Sequence, residues 1–252
     1  KVSREEKVLG AFYPVIDGYV LPDSPFTAFA EQRQAKVPIL VGSNADEGSL
    51  IHPMMPTPLS EYIVHEIETP GESDKLPSFM REAFGEDLEE LLTLYPGLET
   101  RNTGVESEFL GDSFFGSTTR YYAECHAKAG QPAYFYMFTR TPPSAAQTIG
   151  AFHAAELSFV HGTNTPVLPL TKQDLGLSRQ MIRYWTQFAK TADPNQRNLP
   201  LWDTFNPDDP EWMVLGTDFV GMTAVDREEK YRIFNDYTYR LVQQMRSMRE
   251  LV

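Results

Sequence analysis

Unbroken apolar runs are the strongest pattern in this chain. Val37 to Val41 reads Val-Pro-Ile-Leu-Val, and Ala133 to Phe138 reads Ala-Tyr-Phe-Tyr-Met-Phe. Neither alternates apolar with polar residues, which suits strands covered on both faces, as in the parallel sheet of an α/β protein. Trp212 to Leu215 predicts a third strand. Asp17-Gly18 joins two short apolar pieces in the manner of a tight hairpin. Between the runs the apolar spacing turns helical. Pro25 to Ala35, Leu76 to Phe84 and Asp87 to Leu94 predict short helices, the last two in the manner of a cap. Glu106 to Lys128 predicts a longer helix with Leu110, Phe114, Tyr121 and Cys125 on one face, stopped by Gly130 and Pro132. Leu177, Met181, Tyr184, Trp185 and Phe188 form a core stripe on a helix over 177–189. Arg227 to Leu251 predicts a charged terminal helix with Tyr231, Phe234, Tyr237, Leu241 and Met245 inward. Three strands are too few for a sheet flanked by this many helices, so part of the sheet is expected to lie outside these residues.

Composition narrows the partners. The chain has 252 residues, enough to bury a substantial core, and carries a formal net charge of -13. That charge repels phosphate backbones and anionic headgroups, which excludes nucleic acid and a polybasic membrane anchor as expectations. No apolar run approaches the roughly 20 residues of a membrane span, and the start at Lys1 shows no charged-then-apolar leader, so a soluble chain is expected. The absence of an initial methionine points to processing or truncation. The compartment stays open. The single cysteine, Cys125, is expected as a small buried hydrophobe.

Candidate chemistry begins where the first apolar run ends, in Gly42-Ser43-Asn44-Ala45-Asp46-Glu47-Gly48-Ser49-Leu50. Strands of α/β sheets put their chemistry at their carboxyl ends, so this turn either delivers a carboxylate or is a plain strand exit with solvated acids. Of the five histidines, His153 stands in a setting that suggests chemistry, in a loop placed after the second strand. A metal reading with His153, Glu156 and His161 lacks the paired histidines at four-residue spacing that define the strong zinc motif. A triad reading needs a serine, an acid and a histidine in the chain order of α/β-hydrolases, and the acid turn and His153 fit its second and third places.

At these residues the sequence resembles the type-B carboxylesterases, which include the cholinesterases. The matching pieces, in order, are Pro14 to Gly18, Val37 to Gly48, Gly111-Asp112, His153 with Glu156, and Phe188 to Asn195. The resemblance implies the C-terminal half of an α/β-hydrolase fold: a single domain through residues 1–252, a mostly parallel sheet flanked by helices, with helical cap segments. It implies Glu47 as the triad acid with Asp46 as its neighbour, His153 as the general base, Glu156 as a supporting carboxylate, and no cofactor or metal. It further implies an ester as the small-molecule substrate. The main departure from the family is the missing serine. No G-x-S-x-G occurs, and Ser113 in Gly111-Asp112-Ser113-Phe114-Phe115-Gly116 follows the acid instead of preceding it. The nucleophile is therefore expected in an N-terminal half that is a separate or omitted polypeptide. Where cholinesterases carry aromatic rings, this chain has Leu50-Ile51 and Val8-Leu9-Gly10, so Gly10, Leu50 and Ile51 are expected to line a substrate pocket without cation–π partners. A non-catalytic interaction module, which this fold family also contains, is the alternative.

Overall fold

A computed structural model describes residues 14–54, 78–100, 102–143, 147–164 and 169–249. Four strands, β1 (Ile39–Asn44), β2 (Ala133–Phe138), β3 (Glu211–Leu215) and β4 (Val220–Ala224), form one sheet in the order β1-β2-β3-β4. The first two pairings are parallel and the last is antiparallel. The parallel pairs require long crossovers, and helices fill them. Among the described residues β1 ends the sheet, and Ile39, Leu40 and Val41 are only half-buried there. Covered on both faces therefore describes β2 and not β1. Along β2, Tyr134 and Phe138 join a core with Phe159, Met181, Tyr184 and Trp202, while Phe135 and Met137 join one with Ala123, Trp212 and Tyr231. A hydrophobic residue at every position is what a strand of period two covered on both faces needs.

The helices are α1 (Pro25–Ala30), α2 (Glu47–Met54), α3 (Ser78–Phe84), α4 (Leu88–Leu94), α5 (Thr103–Gly111), α6 (Ser117–Lys128), α7 (Leu157–Val160), α8 (Lys172–Thr191) and α9 (Glu228–Arg249). No helix among the described residues is long and apolar enough to cross a membrane. Helix α8 starts earlier than its apolar stripe, because Thr171 and Asp174 form a reciprocal capping box. Its Leu177, Met181 and Tyr184 are buried as the stripe predicts. After it, Asn195 brackets Trp202, accepting from the Trp202 N–H at 2.8 Å and donating to its carbonyl at 2.9 Å. The family-like stretch Phe188 to Asn195 thus ends by fixing a core tryptophan.

Several sequence expectations are corrected. Asp17-Gly18 makes no hairpin: Asp17 Oδ1 accepts from the backbone N–H groups of Tyr19, Val20 and Leu21 at 2.8–3.0 Å. A side chain, not a strand partner, satisfies that backbone. The first strand starts two residues later than Val37, which is exposed, and continues through Gly42 and Ser43. Gly42 is in the ladder and not in the turn, because a Cβ there would meet Tyr136 on β2 at 2.3 Å. Val220 to Ala224 was not expected as a strand. The helix predicted over 106–128 begins at Thr103 and is interrupted by a π-helical turn at Asp112–Gly116. That turn shifts the facing of the residues within it, so Phe114 is 54% exposed instead of lying inward with Leu110 and Tyr121. On α9, Val242 is buried and Leu241 is not.

Candidate active site

The polypeptide leaves β1 at Asn44 and starts α2 at Glu47, with only Ala45 and Asp46 between. So short a connection fixes the Glu47 side chain tightly. Gly48 lets helix α5 come to backbone contact with α2, since a Cβ there would stand 1.8 Å from the Ser107 carbonyl oxygen. Behind the turn, Arg227 donates to the Ala45 carbonyl at 3.0 Å and to Asp112 Oδ1 at 2.7 Å. Tyr95 OH donates to Asp112 Oδ2 at 2.8 Å. The resemblance at Gly111-Asp112 therefore has a physical content: Asp112 is a buried anchor held by Arg227, the residue just ahead of α9.

The His153 loop is zipped to the same turn. Asp46 N–H donates to the Ala151 carbonyl at 3.0 Å, and Ala151 N–H returns a bond to Asp46 Oδ2 at 2.8 Å. Ser49 Oγ lies 2.6 Å from the carbonyl oxygens of both Asp46 and Ile149. Gly150, at φ 69°, has room for no side chain, because a Cβ would meet Asp46 Oδ2 at 2.1 Å. Asp46 is thus committed to holding the loop. Its neighbour does something else: Glu47 Oε2 lies 2.7 Å from His153 Nδ1.

Glu47 is buried, and its Oε1 accepts the Asn44 backbone N–H at 2.8 Å. Burial pushes its carboxyl above the ordinary glutamate value, against the opposing pull of the Asn44 N–H and of His153. Glu156 adds to the rise by its own charge. The His153 side chain is 43% exposed, and the Phe115 ring, carried by the π-helical turn, lies against it with centroids 4.7 Å apart. Glu156 Oε2 accepts from Asn44 Nδ2 at 2.5 Å and is not in contact with Glu47 by any bond among the described residues. Ser113 Oγ is turned back onto the Leu110 carbonyl at 3.2 Å. Leu50 and Ile51 are half-buried on α2, while Gly10 lies outside the described residues. Cys125 is buried beside Tyr239, and burial pushes its thiol up.

Sequence reasoning missed three residues of this constellation. Asn44 and Arg227 bond to backbone carbonyls far away in the chain, which no local pattern announces. Phe115 reaches His153 only because of the π-helical turn. The signal that could have found Asn44 was its place at the last position of a strand just ahead of the acid.

Residues 2–234 match the carboxylesterase family. Carboxylesterase 4A of Bos taurus is 29% identical over 231 residues, spanning 89% of this chain and 42% of that protein. Carboxylesterase 3 of Pongo abelii is 31% identical over 222 residues, with 80% and 38% covered. In three dimensions a PNB esterase superposes with a TM-score of 0.67 at 23% identity, over 89% of this chain and 44% of its own. The chain thus spans less than half the length of the proteins it matches, and its fold is that of an α/β-hydrolase. It belongs to the carboxylesterase family.

Proposed function

We propose that this chain is the C-terminal part of a serine carboxylesterase and supplies the histidine and the acid of a Ser-His-Glu triad. The observation that carries the reading is the 2.7 Å approach of His153 Nδ1 to Glu47 Oε2, with the imidazole itself part-exposed. A carboxylate bonded to Nδ1–H fixes the tautomer in which Nε2 is the base. In the reaction, Nε2 takes the proton of a serine hydroxyl as its oxygen attacks the ester carbonyl. The imidazolium then returns that proton to the leaving alcohol, and an acyl-enzyme remains. Water enters by the same proton relay and releases the acid. Glu47 stabilises the imidazolium throughout and keeps its own charge. Serine and oxyanion donors come from the N-terminal part of the enzyme, which completes the sheet beyond β1. A non-catalytic interaction module would not require the Glu47–His153 bond.

The substrate is a simple ester and not a choline ester, since Leu50 and Ile51 offer no ring to a quaternary ammonium. The test joins this chain to its N-terminal part and follows p-nitrophenyl butyrate and butyrylthiocholine, with fluorophosphonate labelling of the serine. Hydrolysis of the first, abolished by His153→Ala, is expected. Absence of turnover and of label overturns the enzyme reading, and a preference for the choline ester overturns the specificity.

A further inference from the structure

Asn44, the last residue of β1, is 3% exposed and reaches both Glu47 and the segment that carries His153. Its backbone N–H occupies Glu47 Oε1 at 2.8 Å, which leaves Oε2 to His153. Its Nδ2 lies 2.8 Å from the Phe152 carbonyl oxygen and 2.5 Å from Glu156 Oε2. Both of these are acceptors, so the amide nitrogen and not its oxygen must face them. Phe152 immediately precedes His153, and Glu156 follows it by three residues. One NH₂ group therefore holds both ends of the turn that carries the histidine.

That turn has something to be held against. Ala154, in its middle, stands at φ 69°, a left-handed conformation that is strained for an alanine. Such strain persists only where the surroundings over-determine it. A second oddity points the same way: Asn44 Oδ1 is buried with no hydrogen-bond partner among the described residues. An orphaned carbonyl is a cost, so the amide is retained for its donors. A lysine could donate as well, but it would set a cation between Glu47 and Glu156 and compete with His153 for the acid.

We propose that Asn44 is a positioning residue for the triad, acting through a neutral amide clamp on Phe152 and Glu156 that sets the His153 ring against Glu47. The kinetic part of its test rests on the esterase reading above, and the spectroscopic part does not. In the complete enzyme, Asn44→Asp turns the donor into an acceptor facing a carbonyl and a carboxylate. We expect kcat to fall about 100-fold, the loss that a misplaced catalytic group brings, with KM within about twofold. Glu156→Gln alone keeps an acceptor oxygen for the amide. The double variant N44D/E156Q exchanges donor and acceptor, restores the 44–156 bond, and should recover about tenfold of the loss.

With the histidines labelled with ¹⁵N, the Nδ1 proton signal assigned by its loss in His153→Ala should move in N44D and return in the double variant. An unchanged signal and kcat in N44D, or no recovery in the double variant, overturns the proposal. Should N44D fail to fold, Asn44→Ser, whose hydroxyl can serve only one of the two acceptors, gives an intermediate loss in both readouts or overturns it. If the wild-type enzyme hydrolyses no ester, the esterase reading falls while the imidazole signal still decides the role of Asn44.

Discussion

Two buried carboxylates, Glu47 three residues past the end of β1 and Asp112 at the start of the π-helical turn, have opposite fates. Asp112 is 1% exposed and faces Arg227 and the Tyr95 hydroxyl. Burial pushes its carboxyl up, against the pull of the guanidinium. Burial likewise opposes the charge of Arg227, yet Asp112 holds it above its ordinary value. Both carboxylate oxygens of Asp112 are occupied, Oδ1 by the guanidinium and Oδ2 by the Tyr95 hydroxyl. Glu47 is buried almost as well, but its partner is an imidazole, a ring with a second nitrogen free to take and return a proton, and that imidazole remains part-exposed. The desolvation is similar, and the partner decides the use. A fixed cation makes an anchor, and a half-open histidine suits the base of the proposed triad.

The comparison is broken most severely at the base. His153→Ala in the complete enzyme is expected to lower kcat by on the order of 10⁴- to 10⁶-fold, measured on p-nitrophenyl butyrate, while the thermal midpoint stays close to wild type. Glu47→Gln comes next, at about 10⁴-fold. The glutamine can offer its NH₂ to Nδ1 and so favour the wrong tautomer. Equal activity in that variant would remove Glu47 from the triad and leave Asp46 to be tested.

At the other acid the expected loss is of stability, not of chemistry. Arg227→Ala strands Asp112 without its cation and frees the Ala45 carbonyl, and should cost about 3–5 kcal/mol in denaturant unfolding. Its kcat, per folded molecule, should change far less than in the His153 variant. A loss of kcat with unaltered stability would mean that the anchor is part of the chemistry after all. Gly48→Ala tests the seat of Glu47 more gently: a Cβ at 1.8 Å from the Ser107 carbonyl forces α2 and α5 apart, at about 1–3 kcal/mol.

How much of this was legible in the sequence divides along the same line. The acid turn and the His153 loop stand out because each follows an apolar run, at the carboxyl end of strands where α/β sheets place their chemistry, and the family resemblance singles out Glu47 from Asp46 within that turn. The parallel core of the sheet was legible for the same reason. The π-helical turn was not, because Gly111 to Gly116 reads as continuous helix, and one extra residue in a turn moves Phe114 out and Phe115 onto His153. Val220 to Ala224 lacks any run of large apolar residues and becomes a strand only by pairing back onto β3. Asn44 and Arg227 do their work through backbone carbonyls more than 100 residues distant in the chain, contacts that only folding creates.

The smallest expected effect concerns pH, and its sign follows from burial. Because the folded value of Glu47 lies above the ordinary 4.5, the native state holds that proton over a range where the unfolded chain has lost it. Unfolding then releases a proton, so the stability owed to Glu47 is present below the ordinary value and falls as pH rises through the elevated one. Asp112, raised in the same sense, contributes a slope of the same sign. Unfolding free energies of the complete enzyme, measured at intervals from pH 4 upward, should therefore decline less steeply in Glu47→Gln than in wild type, with the Asp112 share left in place. A steeper decline in the variant would mean that the charge of His153 outweighs desolvation at Glu47, and the contrast between the two acids would then lie in their partners alone.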